Sequence, residues 1–267
     1  MFDRRILALI AFLLLATAGG PSLARQDDLG QILDRVMERI KSYPELPSWK
    51  ASVASVLTEM DKTWKPKKVT RVLKTVRVTD KERSEEILRA EETEKGVVKD
   101  VTAKFVKEAE EERREAKNTD KEARESQGEE NKGGGSRSLD SDDLLPFSEK
   151  NRLQYTFTRL EDDVLDGRPV YVLQSQAKIE SEGLWQGRYF ISLDGHDVLK
   201  VVLTLAKNPK FVKEFAADVE FQVLPTGHFV LKKSRTKVDA GMVLKHIRMV
   251  IEEEYTDYEI IEAETAP

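Results

Sequence analysis

GRYFISLDGHDVLKVVLT, residues 187–204, decides the fold. Tyr189 and Ile191 on one side of Asp194-Gly195, and Leu199, Val201 and Leu203 on the other, recur at every second position, with Lys200 between them. A two-residue period places alternate side chains on one face of a strand, and an Asp-Gly pair between two such runs reverses the chain. The stretch therefore reads as an antiparallel hairpin with one apolar face.

The same pattern extends outward in both directions. Runs at 153–161, 168–178, 184–193, 197–206, 215–223, 228–237 and 242–254 are candidate strands. They are separated by Asp166-Gly167, Asp194-Gly195, Asn208-Pro209, Pro225-Thr226-Gly227 and Ala240-Gly241, all turn-forming sequences. Strands spaced by about a dozen residues describe an antiparallel meander. Upstream, 49–60 and 68–79 are rich in Val and Thr, with the turn expected at Lys65–Lys68 around Pro66, and 84–92 is a candidate third strand. Nine or ten strands make a sheet that must curl. One element is positioned to cover it. Leu29, Ile32, Leu33, Val36, Met37 and Ile40 recur at helical spacing before Pro44, which predicts an amphipathic helix over 28–42.

The expected fold class is α+β: a curved antiparallel sheet or half-open β-barrel with an N-terminal amphipathic lid helix. It forms a single domain, 25–267, interrupted by a charged helical and flexible insertion at 93–138. Residues 91–130 hold 14 acidic and 9 basic side chains, while the whole chain carries a net charge of only −5. Val98, Val101, Phe105 and Ala109 predict a narrow helical stripe at 97–110, and Gly133, Gly134, Gly135, Ser136 and Ser138 form a tether.

Residues 1–24 read as an address. Arg4 and Arg5 precede an apolar run, Ile6–Ala16, and the small residues Ser22 and Ala24 sit where a signal peptidase cuts. Cleavage is expected after Ala24, which makes the mature chain periplasmic. The run is about half of the roughly 20 apolar residues needed to span a bilayer, and no later stretch is longer, so no transmembrane span is expected in the mature chain.

The chain contains no cysteine, which excludes disulfides, thiolate metal sites and cysteine nucleophiles. Net acidity offers nucleic acid no general attraction. His196, His228 and His246 lack metal-ligand spacing, and neither a Walker loop, a GxGxxG turn nor a GxSxG elbow occurs. No cofactor, no metal and no catalytic residue is expected. The strand alternation instead groups Tyr155, Phe157, Trp185, Tyr189, Ile191, Leu203, Phe221, Phe229, Leu231, Ile247 and Met249 on one inward face, with Lys200, Asp218, Glu220, Lys232, Lys245 and Arg248 outward.

A helix followed by such a meander, with DGRPVYVLQSQAK (166–178), GRYFISLDGHDVLKVVLT (187–204) and EEEYTDYEI (252–260), resembles the outer-membrane lipoprotein-sorting proteins, the LolA/LolB-like family. The resemblance implies a half-open barrel with a helical lid that carries lipid or lipoprotein acyl chains between envelope donor and acceptor proteins. It also implies an arginine on an early strand, Arg71 or Arg77, that helps hold the lid. On this reading the inward residues line a lipid cavity and 28–42 is the lid. A sensor or regulatory module of the same fold, binding a protein or lipid signal, is the alternative.

Overall fold

A computed structural model of the chain describes residues 28–79, 83–111, 114, 144–242 and 245–261. The expected leader and its cleavage site, and most of the expected insertion, lie outside them.

Helix α1 (Leu29–Ser42) is followed by strands β1 (Trp49–Met60), β2 (Pro66–Val78), β3 (Arg83–Glu94) and β4 (Val97–Asp100). A helix at 102–111 and a short helix, Glu149–Arg152, lead to β5 (Tyr155–Arg159), β6 (Asp163–Leu165), β7 (Arg168–Ala177) and β8 (Trp185–Ser192). β9 (Val198–Leu205), β10 (Val212–Val223), β11 (Phe229–Met242) and β12 (Lys245–Ile260) complete the sheet. All twelve strands belong to one open, curved, antiparallel sheet in the order β4-β3-β2-β1-β12-β11-β10-β9-β8-β7-β5, with β6 pairing β7 off this path. Every neighbour in the order is a sequence neighbour except β1 beside β12, where Val53 lies opposite Tyr255 and Leu57 opposite Ile251, and β7 beside β5.

Local chemistry explains the boundaries, including those that differ from expectation. The β1–β2 turn is not at Lys65–Lys68 but at Asp61–Lys65. There the Asp61 carboxylate accepts from the Thr63 N–H and hydroxyl, both at 2.7 Å, and from the Lys65 N–H at 3.0 Å. These donors, the Lys65 N–H foremost, hold Asp61 below the usual carboxylate range. Pro66 opens β2, a position where its missing N–H costs no ladder bond.

β3 is a full strand despite the helix-favouring Glu, Arg and Ala in it. Cross-strand pairing with β2 sets Arg71 opposite Glu91 and Lys68 opposite Glu94, and matched charges outweigh propensity there. Lys95 (φ 52°) and Gly96 (φ 79°) then make a two-residue hairpin turn, so 97–100 is strand rather than the start of a helix. The sheet thus runs beyond residue 93, where the insertion was expected to begin. Asp100 accepts from the Thr102 N–H at 2.8 Å and opens the 102–111 helix. At the other end of the chain β11 continues through Ala240-Gly241, with Gly241 opposite His246, so no turn forms at that pair.

The main core lies on the concave side of β7–β10. Ile32, Leu33 and Val36 of α1 pack there against Tyr171, Leu173, Tyr189, Ile191, Val201, Leu203 and Val219. A second, smaller cluster of Ala51, Val53, Val76 and Tyr255 sits on the same face of β12, β1 and β2, and Leu231 packs against both.

Candidate functional site

The helix α1 is amphipathic because its apolar residues recur every three or four positions, and the buried ones mark the stripe that faces the sheet. Leu29 and Ile40 are partly buried at its ends, and Met37 is half-buried at the margin. Two ion pairs fix the helix to the body. Asp34 accepts from the Arg152 guanidinium at 2.6 Å. Near the C-terminus, Asp197, in the β8–β9 connection, accepts both from Arg39 Nε at 2.6 Å and from the Tyr43 hydroxyl at 2.6 Å. Arg39 lies over the Tyr43 ring, 4.7 Å from its centroid, and Tyr43, Phe229 and Phe221 stack in sequence at 4.8 Å centroid separations. Asp197 is itself held by the Ser192 hydroxyl, which accepts from its N–H at 3.0 Å. The hydrogen bond to Asp197 raises the affinity of Arg39 for its proton, and burial, with Asp197 adding to it, pushes the Tyr43 phenol up, so the latch joins one anion, one cation and one neutral donor.

Neither early-strand arginine takes part. Arg71 and Arg77 are exposed, on the face opposite Val53 and Val76, because both occupy the other parity of β2. The latch cation comes from the helix and the anion from the β8–β9 connection.

The expected inward residues divide into three groups. Tyr155, Tyr189, Ile191, Leu203 and Phe221 are buried, and all but Tyr155 belong to the main core. Phe157, Trp185, Phe229 and Leu231 are partly buried against that core, with Trp185 edge-on to Phe215 at 5.5 Å. Ile247 and Met249 lie apart on β12, opposite Ala240 and Val238, and belong to neither core cluster; Ile247 is 36% exposed. With α1 docked, Tyr189, Ile191 and Leu203 are packed against other side chains of the protein. Leu144, Leu145 and Phe147 plug that half of the sheet beside α1, with Phe147 edge-on to Tyr189 at 5.0 Å and stacked on Phe157 at 5.9 Å. The signal for this second plug was available as the apolar LLPF (144–147) directly after an acidic tract.

A cavity does remain, between the two core clusters. It measures about 290 Å³ and is lined by Leu46, Trp49, Val78, Leu144, Phe221, Phe229, Leu231, Tyr255 and Tyr258, with Arg83 and Ser234 among the few polar contributions. Trp49 leans on Tyr258 at 5.5 Å, and the Tyr258 hydroxyl donates to the Leu231 carbonyl at 2.7 Å. Burial pushes the phenols of Tyr255 and Tyr258 up, so both rings present neutral, largely apolar faces. A larger opening of about 640 Å³ separates β1–β3 from the 102–111 helix, but Lys50, Arg77, Glu85, Glu86 and Glu110 line it and give it a charged wall.

Beyond Tyr255 the concave face turns polar. Lys74 Nζ lies 2.8 Å from Glu85 and 3.3 Å from Glu253, which also accepts from the Ser55 hydroxyl at 3.1 Å. Although desolvation opposes it most, pairing with Lys74 and then Arg83 holds Glu85 below the usual carboxylate range. On the convex face, Asp239 accepts from Arg248 at 2.9 Å and lies 2.6 Å from His246 Nε2. Among the described residues, no group of three or more His, Asp or Glu side chains is arranged to hold a metal ion. No described helix is long and apolar enough to cross a membrane.

No family model matches the chain, and no curated protein matches it. Among solved structures it is similar to a LolA superfamily protein from Nitrosomonas europaea, at 11% identity over 88% of this chain and 94% of that one, with a TM-score of 0.37. A DUF1329 family protein from Desulfovibrio piger matches at 9% identity over 88% and 93%, TM-score 0.37. A domain from Vibrio parahaemolyticus, named as an outer membrane lipoprotein-sorting protein, matches at 11% identity over 85% and 91%, also with a TM-score of 0.37.

Proposed function

We propose that the protein is a non-enzymatic carrier that binds lipid or lipoprotein acyl chains on the concave face of its sheet. It works in the periplasm after loss of residues 1–24 and exchanges cargo with donor and acceptor proteins of the envelope. The observation that carries this reading is the apolar cavity of about 290 Å³ left between the two core clusters, next to a helix that is latched rather than fused to the sheet.

Energetics support an exchange between helix and cargo. Burying Ile32, Leu33 and Val36 is worth about 5–9 kcal/mol gross, at roughly 1.5–3 kcal/mol for each large aliphatic side chain. A 16-carbon chain moved out of water gains on the order of 12 kcal/mol. The two are comparable, so cargo can displace the helix and a partner can reverse the exchange. When α1 leaves, the aromatic stack of Tyr43 on Phe229 opens, and the 290 Å³ cavity extends over Tyr189, Ile191 and Leu203.

The test is organic extraction and mass spectrometry of the purified protein, combined with displacement of an apolar fluorescent probe by fatty acid. Co-purifying lipid and saturable displacement are expected. Absence of both refutes the carrier.

A further inference from the structure

We infer that the cavity takes one single-chain amphiphile whose anionic headgroup is held by Arg83. This rests on the carrier reading and narrows its cargo.

Three observations point to that ligand. The first is size. At about 290 Å³ the cavity lies at the small end of the roughly 300–1,000 Å³ of ligand pockets, a size that suits one narrow chain. The second is the boundary. Past Tyr255 the inward positions of β12, β1, β2 and β3 are Glu253, Ser55, Lys74 and Glu85, joined to one another. A second tail spreading in that direction would strip water from ion pairs and return no hydrogen bonds. The third is charge. Arg83 ends the inward row Trp49–Val78–Arg83, and it is the charged side chain that borders the cavity. Its Nη2 contacts Glu85 at 3.0 Å, and a guanidinium carries five N–H donors in a fork that fits a carboxylate or a phosphate.

The tail therefore lies among Trp49, Leu144, Phe221 and Tyr258, and the headgroup emerges at β3, where solvent reaches Arg83, whose side chain is 41% exposed.

The experiment titrates the full chain with dodecanoate, dodecyl phosphate, dodecanol and dodecylammonium, following intrinsic tryptophan fluorescence, to which Trp49 at the cavity contributes, with a diacyl phosphatidic acid as competitor. Dodecanoate or dodecyl phosphate should bind about ten-fold tighter than dodecanol, the low end of a hydrogen bond to a charged group. The stronger of the two identifies the headgroup source. The preference should vanish in Arg83→Gln and survive in Arg83→Lys, which keeps the cation and controls for folding. Equal binding of dodecanol and both anions overturns the headgroup assignment and leaves the carrier intact. Competition by the diacyl lipid as effective as that by dodecanoate overturns the single-chain assignment. Failure of all four ligands to bind removes the cavity reading itself.

Discussion

Replacing Asp197 by alanine should release the C-terminal end of α1 while leaving the sheet intact. The carboxylate accepts two bonds at 2.6 Å, one from Arg39 and one from Tyr43. The Arg39 side chain is 38% exposed, so solvent screening reduces that pair to about 0.5–1 kcal/mol. The Tyr43 bond is better shielded and contributes about 1–1.5 kcal/mol. Together they supply about 2 kcal/mol, against the 5–9 kcal/mol gross from the buried stripe, so the helix stays docked in most molecules. Its undocked population nevertheless rises ~30-fold, since 1.4 kcal/mol is a factor of ten. Amide hydrogen exchange reads this directly, because local opening is visible below the global unfolding limit. Exchange of the α1 amides should accelerate ~30-fold while amides of β8 and β9 keep their rates. If undocking gates uptake, the association rate of an apolar probe rises by a similar factor. Unchanged α1 exchange, or a uniform acceleration across the sheet, would refute the latch.

Three other perturbations have defined outcomes. Gly187 has φ +149°, and a Cβ added there would lie 2.1 Å from the Val202 carbonyl oxygen, so Gly187→Ala should destabilise the fold by about 2–4 kcal/mol, read as a lowered urea midpoint; an unshifted midpoint contradicts the close approach of β8 to β9. Glu85 is held below its ordinary range in the folded state, so its contribution is present above the unfolded carboxylate value of about 4.3 and is lost as the pH falls through the folded value. Wild type should exceed Glu85→Gln in stability at pH 7, with the gap shrinking in acid, and a gap independent of pH disproves the assignment. Excising 115–138 should leave probe binding within two-fold, whereas a regulatory module that recruits its partner through this charged stretch would lose that partner in a pull-down.

Much of the architecture is legible in the sequence, and the reason is periodicity. Tyr189, Ile191, Val201 and Leu203 share a face because strands alternate, and β1 is legible from Trp49 to Met60 for the same reason. Short strands carry too few residues for a period, which hides β4 and β6 behind their turns. The site is less legible, because occupancy of a face is a tertiary property. Alternation places Leu203 inward but is silent on Phe147, which arrives from a distant segment to cover that half of the sheet. The same holds for the latch: Arg39 and Asp197 are 158 residues apart, and no local pattern joins them. Arg83, Lys74 and Glu253 carry no local sign of their orientation; the strand register sets them on the concave side.

The adjacency of β1 and β12 has a kinetic consequence. The meander from β6 to β12 is built from contacts between sequence neighbours and can zip together one hairpin at a time, as can β1 to β4, while β5 adds to the free edge of β7. Joining the two blocks requires residues 49–60 to find 245–260, the longest chain closure among the described strand pairings. Until then each block presents an unpaired long strand, of 12 and 16 residues, able to pair with the wrong chain. Nascent molecules are therefore most prone to aggregate in the interval before this final seam closes, and a permuted gene that places the two strands next to each other should fold faster.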